Sequence, residues 1–201
     1  MKSKLINIKY FSLILALFFS NCKTIKTEEL KANKTIINWG FSKPTSYQKS
    51  TKELMSNKIP DSVFKMTQLT SLTIIGMDCD YGDTTSCWMI REIPGQIKYL
   101  VNLKSLILNI NGITKIPPEI KSLKNLTLVD LTDNAGLFDI DNLTSLPNLQ
   151  NLLLYGCGLS ELPSGLKKMK TLKVLGLAGN NLNKYQLSKI AKELPECKII
   201  F

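Results

Sequence analysis

The chain contains no histidine and a single arginine, Arg91. Without histidine it has no side chain whose ordinary pKa lies near neutrality, and it lacks the commonest metal ligand. Without a set of arginines it has few of the planar forks that read bases and grip phosphates. The formal charge of +10 comes almost wholly from lysines spread along the chain, which describes a solvated surface, so no nucleic-acid partner is expected. No apolar run reaches the roughly 20 residues that cross a bilayer as a helix. There is no phosphate-binding glycine loop, no nucleophile beside a base and no metal-ligand cluster. These absences argue against an enzyme and against any cofactor or metal.

What is present suits one folded domain with extra sequence at an end: 201 residues, 44% of them hydrophobic. Lys2, Lys4 and Lys9 precede a short apolar stretch, residues 10–19, which has the size of a signal-peptide core. It ends in Phe18, Phe19, Ser20, Asn21 and Cys22. This junction resembles the relaxed lipoboxes of spirochaete lipoproteins, although Phe19 and Asn21 replace the usual Leu and Gly or Ala. That resemblance implies cleavage after residue 21 and lipidation of Cys22; an ordinary secretory signal with an incidental cysteine is the alternative. Residues 22–45 are mostly polar and lysine-rich and read as a tether, with one short strand at most in the apolar stretch from residue 35.

From there the sequence repeats itself every 23 residues. Leu103, Leu126, Leu149 and Leu172 each open the phrase Leu-x-x-Leu/Val-x-Leu-x-x-Asn/Cys. Its fourth and sixth positions alternate as an inward-facing strand does, and apolar residues then recur at three- and four-residue steps, as on short helices behind Pro117 and Pro163. A phrase of this kind at this period is the signature of a leucine-rich repeat solenoid: an α/β arc with a parallel sheet on its concave face and short helices or 3-10 turns on its convex face. The ninth position turns the chain inside the core. A carboxamide there can serve backbone groups of two successive turns, which gives a structural ladder of Asn111, Asn134 and Asn180, with Cys157 on the fourth rung as a buried, weak donor.

The departures locate the boundaries. Leu69, Leu72 and Ile74 open a first repeat, but Leu69 to Leu103 spans 34 residues, 11 beyond the period. The excess is an insertion over 78–88, after Met77 in the ladder position. Residues 46–68 carry only the convex-half pattern, so a half repeat, helical from about Ser46, is expected as an N-terminal cap. Five repeats then occupy 69–196. In the third, Leu137 and Ile140 fall one position late. Residues 197–201 read as a terminal strand, with Cys197 in place of the opening leucine.

Over residues 46–201 the chain resembles the short leucine-rich repeat proteins of bacterial envelopes, especially the leptospiral and other spirochaete lipoprotein families. The resemblance implies a non-enzymatic role: a protein-interaction module, in some members facing host molecules. It also implies export and lipid anchoring, at the outer membrane or cell surface sooner than at the periplasmic face of the inner membrane.

Alternate strand positions face the concave side. Ile75, Ile107, Leu128, Leu153, Tyr155 and Val174 form an aliphatic and aromatic set there, interspersed with Asn109, Asp130, Thr132 and Asn151. A contiguous apolar surface of this kind marks a protein-partner site, with Tyr155 and Leu153 as its anchors. The insertion carries Cys79 and Cys87, which form a candidate disulfide in an oxidising compartment. Its Asp78, Asp80 and Asp83 lack the remaining ligands of a calcium loop. Lys167, Lys168, Lys170 and Lys173 read as a solvated convex surface. The competing expectation is a structural envelope protein that self-associates, weakly, edge to edge through its terminal strand.

Overall fold

The computed structural model describes residues 44–76 and 88–201. Cys22, Cys79, Cys87, Met77, the three acids of the insertion and nearly all of the tether lie outside the described residues.

Among the described residues, seven strands form one sheet in chain order. They are β1 (Ser46–Ser50), β2 (Ser71–Ile75), β3 (Ser105–Ile107), β4 (Leu128–Asp130), β5 (Asn151–Leu153), β6 (Val174–Gly176) and β7 (Lys198–Ile200). Every pairing is parallel. Parallel neighbours need a long return between them, and the convex half of each repeat supplies it. Four of these returns contain a 3-10 helix: Gly95–Tyr99, Pro118–Ser122, Asp141–Ser145 and Ser164–Lys168. Pro94, Pro117 and Pro163 each stand just before one, with the extended backbone that suits a helix start.

The alternation within strands and the three-residue step of the returns point at the same place. Leu72, Ile74, Leu106, Leu108, Val129, Leu131, Leu152, Leu154, Leu175 and Leu177 are buried from the sheet side. Ile97, Ile120, Leu143 and Leu166 meet them from the convex side, one per 3-10 helix. All belong to a single continuous core cluster. No single repeat could enclose these residues alone, so stability is shared between neighbours.

Residues 46–50 depart from expectation. They form strand, not helix, and pair along their whole length with β2. The sequence Ser-Tyr-Gln-Lys-Ser conceals this because β1 is the first strand among the described residues and is partly exposed. Tyr47 packs against the core, whereas Lys49, opposite buried Ile74, keeps its ammonium in water and meets Glu53 at 3.6 Å. A capping strand with one solvated side carries none of the leucine pattern that marks an interior strand. Two short helices follow, α1 (Thr51–Leu54) and α2 (Asp61–Phe64), and α2 buries Val63 and Phe64 over the first repeat.

The far end differs from expectation by one residue. Cys197 donates its N–H to Leu194 O, as Leu69, Leu103, Leu126 and Leu172 do to the residue three before them. The strand then starts one residue early, so Ile199 packs on the core and Ile200 joins the concave face beside Gly176. Before it runs the longest helix among the described residues, α3 (Lys184–Glu193), set by a capping box between Asn183 and Gln186. No helix among the described residues is long and apolar enough to cross a membrane.

The carboxamide ladder ties the levels together. Asn134 Oδ1 accepts from Ile113 N–H at 3.0 Å, while its Nδ2 donates to Leu108 O at 2.9 Å and Leu131 O at 2.8 Å. Asn111 does the same for Ile90 N–H and Ile74 O, and Asn180 for Leu159 N–H and Leu154 O. Each asparagine thus satisfies a donor and an acceptor in the repeat before its own. Asn134 is fully buried, so Asn134→Ala would strand Ile113 N–H and Leu108 O away from water. Urea unfolding should show a loss of about 3 kcal/mol. A cost below about 1 kcal/mol would mean that the rung is dispensable.

Candidate functional site

The parallel register sets the concave residues in rows across the sheet. One row runs Thr73, Ile107, Asp130, Leu153, Gly176, Ile200. The row on its N-terminal side runs Ser71, Ser105, Leu128, Asn151, Val174, Lys198. Asn109, Thr132 and Tyr155 lie beyond the third strand residues, where the backbone bonds of Ile110 to Thr132 and of Asp133 to Tyr155 hold neighbouring repeats together. Ile107, Leu128, Leu153, Tyr155 and Val174 are half-buried on this face, and Ile75 is 37% exposed. Ile107, Leu128 and Leu153 surround Asp130 on the face. Ile75 stands apart, near the β1 edge. Val174 is separated from Leu128 by Asn151.

Asp130 is the acid of this face. Its Oδ1 accepts from the Thr132 hydroxyl at 2.6 Å and from Thr132 N–H at 3.1 Å, and its Oδ2 accepts from Asn109 Nδ2 at 3.1 Å. No lysine or arginine among the described residues pairs with it. Asn109 Oδ1 is shielded from water and accepts nothing. Asn109 is followed by Ile110, whose φ of 55° puts a β-branched residue in the left-handed region. The equivalent positions hold Asp133 at 58°, Gly156 at 60° and Gly179 at 77°, so the turn demands this backbone and Ile110 adopts it against its own preference.

Tyr155 lies across the sheet over Gly176. A Cβ at residue 176 would stand 2.4 Å from the Tyr155 ring, so glycine is what lets the ring lie down. The Tyr155 hydroxyl is buried without a hydrogen-bond partner. Burial, then the nearby Asp130 charge, raises its pKa above the ordinary value of 10.0. Gly176 and Ile200 complete this part of the face. A glycine in mid-strand, one repeat on from a tyrosine, was the available signal for the close approach.

Behind the face, Cys157 stands on its rung fully buried. Its Sγ donates to Leu131 O at 3.2 Å and to Tyr155 O at 3.5 Å. A thiol has no carboxamide oxygen to offer the preceding turn. That turn closes on itself, with Leu137 N–H donating to Asn134 O at 2.9 Å. The sulfur rung and the one-residue delay of Leu137 and Ile140 are therefore two sides of one substitution. Lys167, Lys168, Lys170 and Lys173 are all exposed. Where the insertion returns, the buried Thr51 hydroxyl donates to Trp88 O, and Met89 N–H donates to Asn57 Oδ1 at 2.9 Å. The return of the insertion is thus bonded to the N-terminal cap.

Comparison with solved structures decides the architecture. This is a leucine-rich repeat fold. A leucine-rich repeat protein of Leptospira interrogans superposes with a TM-score of 0.63 at 29% identity, over 72% of this chain and 34% of that one. This chain thus spans about a third of that protein's length. An internalin of Listeria monocytogenes gives 0.56 at 19% identity, over 77% and 41% of the two chains. The ectodomain of the Arabidopsis thaliana receptor kinase HAESA, in complex with a peptide hormone ligand, gives 0.52 at 24% identity, over 72% and 23%. No family model and no curated protein matches the chain.

The Cys157 rung makes a pH prediction. Burial above all, with the Asp133 and Asp130 charges adding to it, pushes the thiol from 9.0 up to about 11. The folded state therefore holds this proton more tightly than the unfolded state. Its contribution is complete below about pH 9 and is lost as the pH rises to about 11. Denaturant unfolding across that window should fall on the order of 2 to 3 kcal/mol further in the unmodified chain than in Cys157→Ala. Equal falls in both would show that the thiol is not protected.

Proposed function

We propose that this chain is a lipid-anchored interaction module of a bacterial envelope that binds a protein partner on its concave face. The fold is typically a non-enzymatic interaction scaffold. The observation that carries the reading is the aliphatic patch of Ile107, Leu128 and Leu153, extended by the Tyr155 ring and left uncovered by the chain's own described residues. Aromatic anchors such as Tyr155 commonly carry a large share of the binding energy at protein interfaces, while the apolar side chains around them exclude water. The HAESA ectodomain gives an instance of the fold holding a peptide. The partner is a protein segment, with a host protein among the candidates that the leptospiral resemblance suggests.

A photo-reactive residue placed at Ser105 on the concave face should cross-link a discrete protein species in intact cells. The Leu153→Ser/Tyr155→Ser double variant, folded by circular dichroism, should cut that yield at least about tenfold. A yield unchanged by the double variant would remove the concave face as the binding site.

The anchor rests on Cys22 at the end of the apolar stretch and on the resemblance to spirochaete lipoboxes. Metabolic labelling with an alkynyl fatty acid should mark the chain, and Cys22→Ser should abolish both the label and detergent-phase partitioning. Label retained in Cys22→Ser would place the lipid elsewhere. Protease added to intact cells should digest the domain if it faces outward; protection would assign it to the periplasm.

A further inference from the structure

The concave reading leaves the chemistry of the partner open, and Asp130 constrains it. The carboxylate lies inside the aliphatic patch, not at its rim: Ile107 and Leu153 flank it along one row, and Leu128 lies two residues before it on β4. A partner that covers these three side chains must cover Asp130 as well. A carboxylate taken out of water without a counter-charge costs several kcal/mol, enough to cancel the gain from the aliphatic contacts. The described residues do not supply that counter-charge, since among them Asp130 has hydrogen bonds from Thr132 and Asn109 but no cation.

The remaining hydrogen-bonding capacity has one sign. Asp130 takes three hydrogen bonds, and a carboxylate has about four acceptor sites. The amide that touches it leaves Asn109 Oδ1 without a donor. The open site on Asp130 calls for an N–H group from outside, whereas Asn109 Oδ1, shielded from water, is out of a partner's reach.

We propose that the protein segment bound by the concave face presents a basic side chain, arginine above lysine, onto Asp130, with aliphatic side chains on either side packing against Ile107, Leu128 and Leu153. This deepens the concave-face reading and rests on it. Guanidinium fits better than ammonium because it carries five donors in a planar fork, is more weakly hydrated and stays charged when desolvated. An acidic residue at the same place would meet Asp130 with like charge and is rejected.

The chain's own charge makes the test decisive. At +10 overall, its long-range field favours acidic peptides, so a preference for a basic one can come only from local pairing. The probes are three dye-labelled peptides, acetyl-Leu-Ser-Xaa-Ser-Leu-amide with Xaa as Arg, Gln or Glu. They are titrated by fluorescence anisotropy against the full chain in phosphatidylcholine nanodiscs, with empty nanodiscs as blank. The Arg peptide is expected to bind at least about tenfold more tightly than the Glu peptide. Asp130→Asn should bring the two within about twofold, and Leu153→Ser/Tyr155→Ser should abolish binding. The comparison on the unmodified chain needs no variant to fold. Three equal affinities that vanish in Leu153→Ser/Tyr155→Ser would overturn the pairing and leave the concave face standing. Tighter binding of the Glu peptide would overturn the pairing too. No binding of any peptide, or binding that survives the double variant, would overturn both.

Discussion

A polar turn must be buried every 23 residues, and the structure depends on how that turn is satisfied. Stacking the repeats puts the backbone after each strand out of reach of water, yet its N–H and C=O groups still need partners. Asparagine at the ninth position brings a donor and an acceptor on a side chain short enough to sit inside the bend. Because Asn111, Asn134 and Asn180 each bond backward into the preceding repeat, satisfying one turn also fixes the spacing of the next strand. The rows of the concave face follow from that spacing. The left-handed residue before each ladder position is a consequence of the same bend, which is why Ile110 accepts a backbone that glycine adopts freely at Gly156 and Gly179.

Where a residue takes part in this scheme, its place was legible in the sequence. Leu106, Leu108, Val129 and Leu131 announce the inward side of their strands by period, and the ladder by its offset from them. Where the scheme stops, legibility stops with it. The strand β1 is half in water, so Gln48 and Lys49 carry no apolar alternation, and its residues read as the start of a helix. At β7 the step shortens by one residue, and a strict count puts Ile199 and Ile200 on each other's sides. Among the described residues these two strands end the sheet, each with a neighbour on one side. The concave arrangement was hidden for a different reason. Membership of the face follows from parity, but the tie from Asn109 to Asp130 and the lie of Tyr155 over Gly176 are contacts between repeats, and these depend on the register between strands.

The fourth rung shows how far the ladder tolerates exchange. Cys157 keeps the half of the bonding that a donor can make, towards Leu131 O. It has no carboxamide oxygen for the turn of the third repeat, whose Leu137 N–H returns to Asn134 O in its own repeat. The lateral link is thereby weaker on one side of this rung than at the asparagines. The core beneath stays continuous, since Leu137, Ile140 and Leu143 are still buried. Sulfur is sufficient here because the preceding turn no longer asks for an oxygen.

The placement of charge on the concave face bears on selectivity more than on affinity. Three aliphatic side chains and one tyrosine would take hydrophobic segments of many sequences, and a surface of that kind alone discriminates poorly. Asp130 changes the outcome because it cannot be avoided: its carboxylate is in the row between Ile107 and Leu153. Thr132 and Asn109 hold it in place without neutralising it. A carboxylate already fixed by its neighbours loses little further freedom on meeting a partner's cation, and it penalises every segment that arrives without one. The aliphatic residues thus set how strongly a segment is held, and Asp130 sets which segment it is.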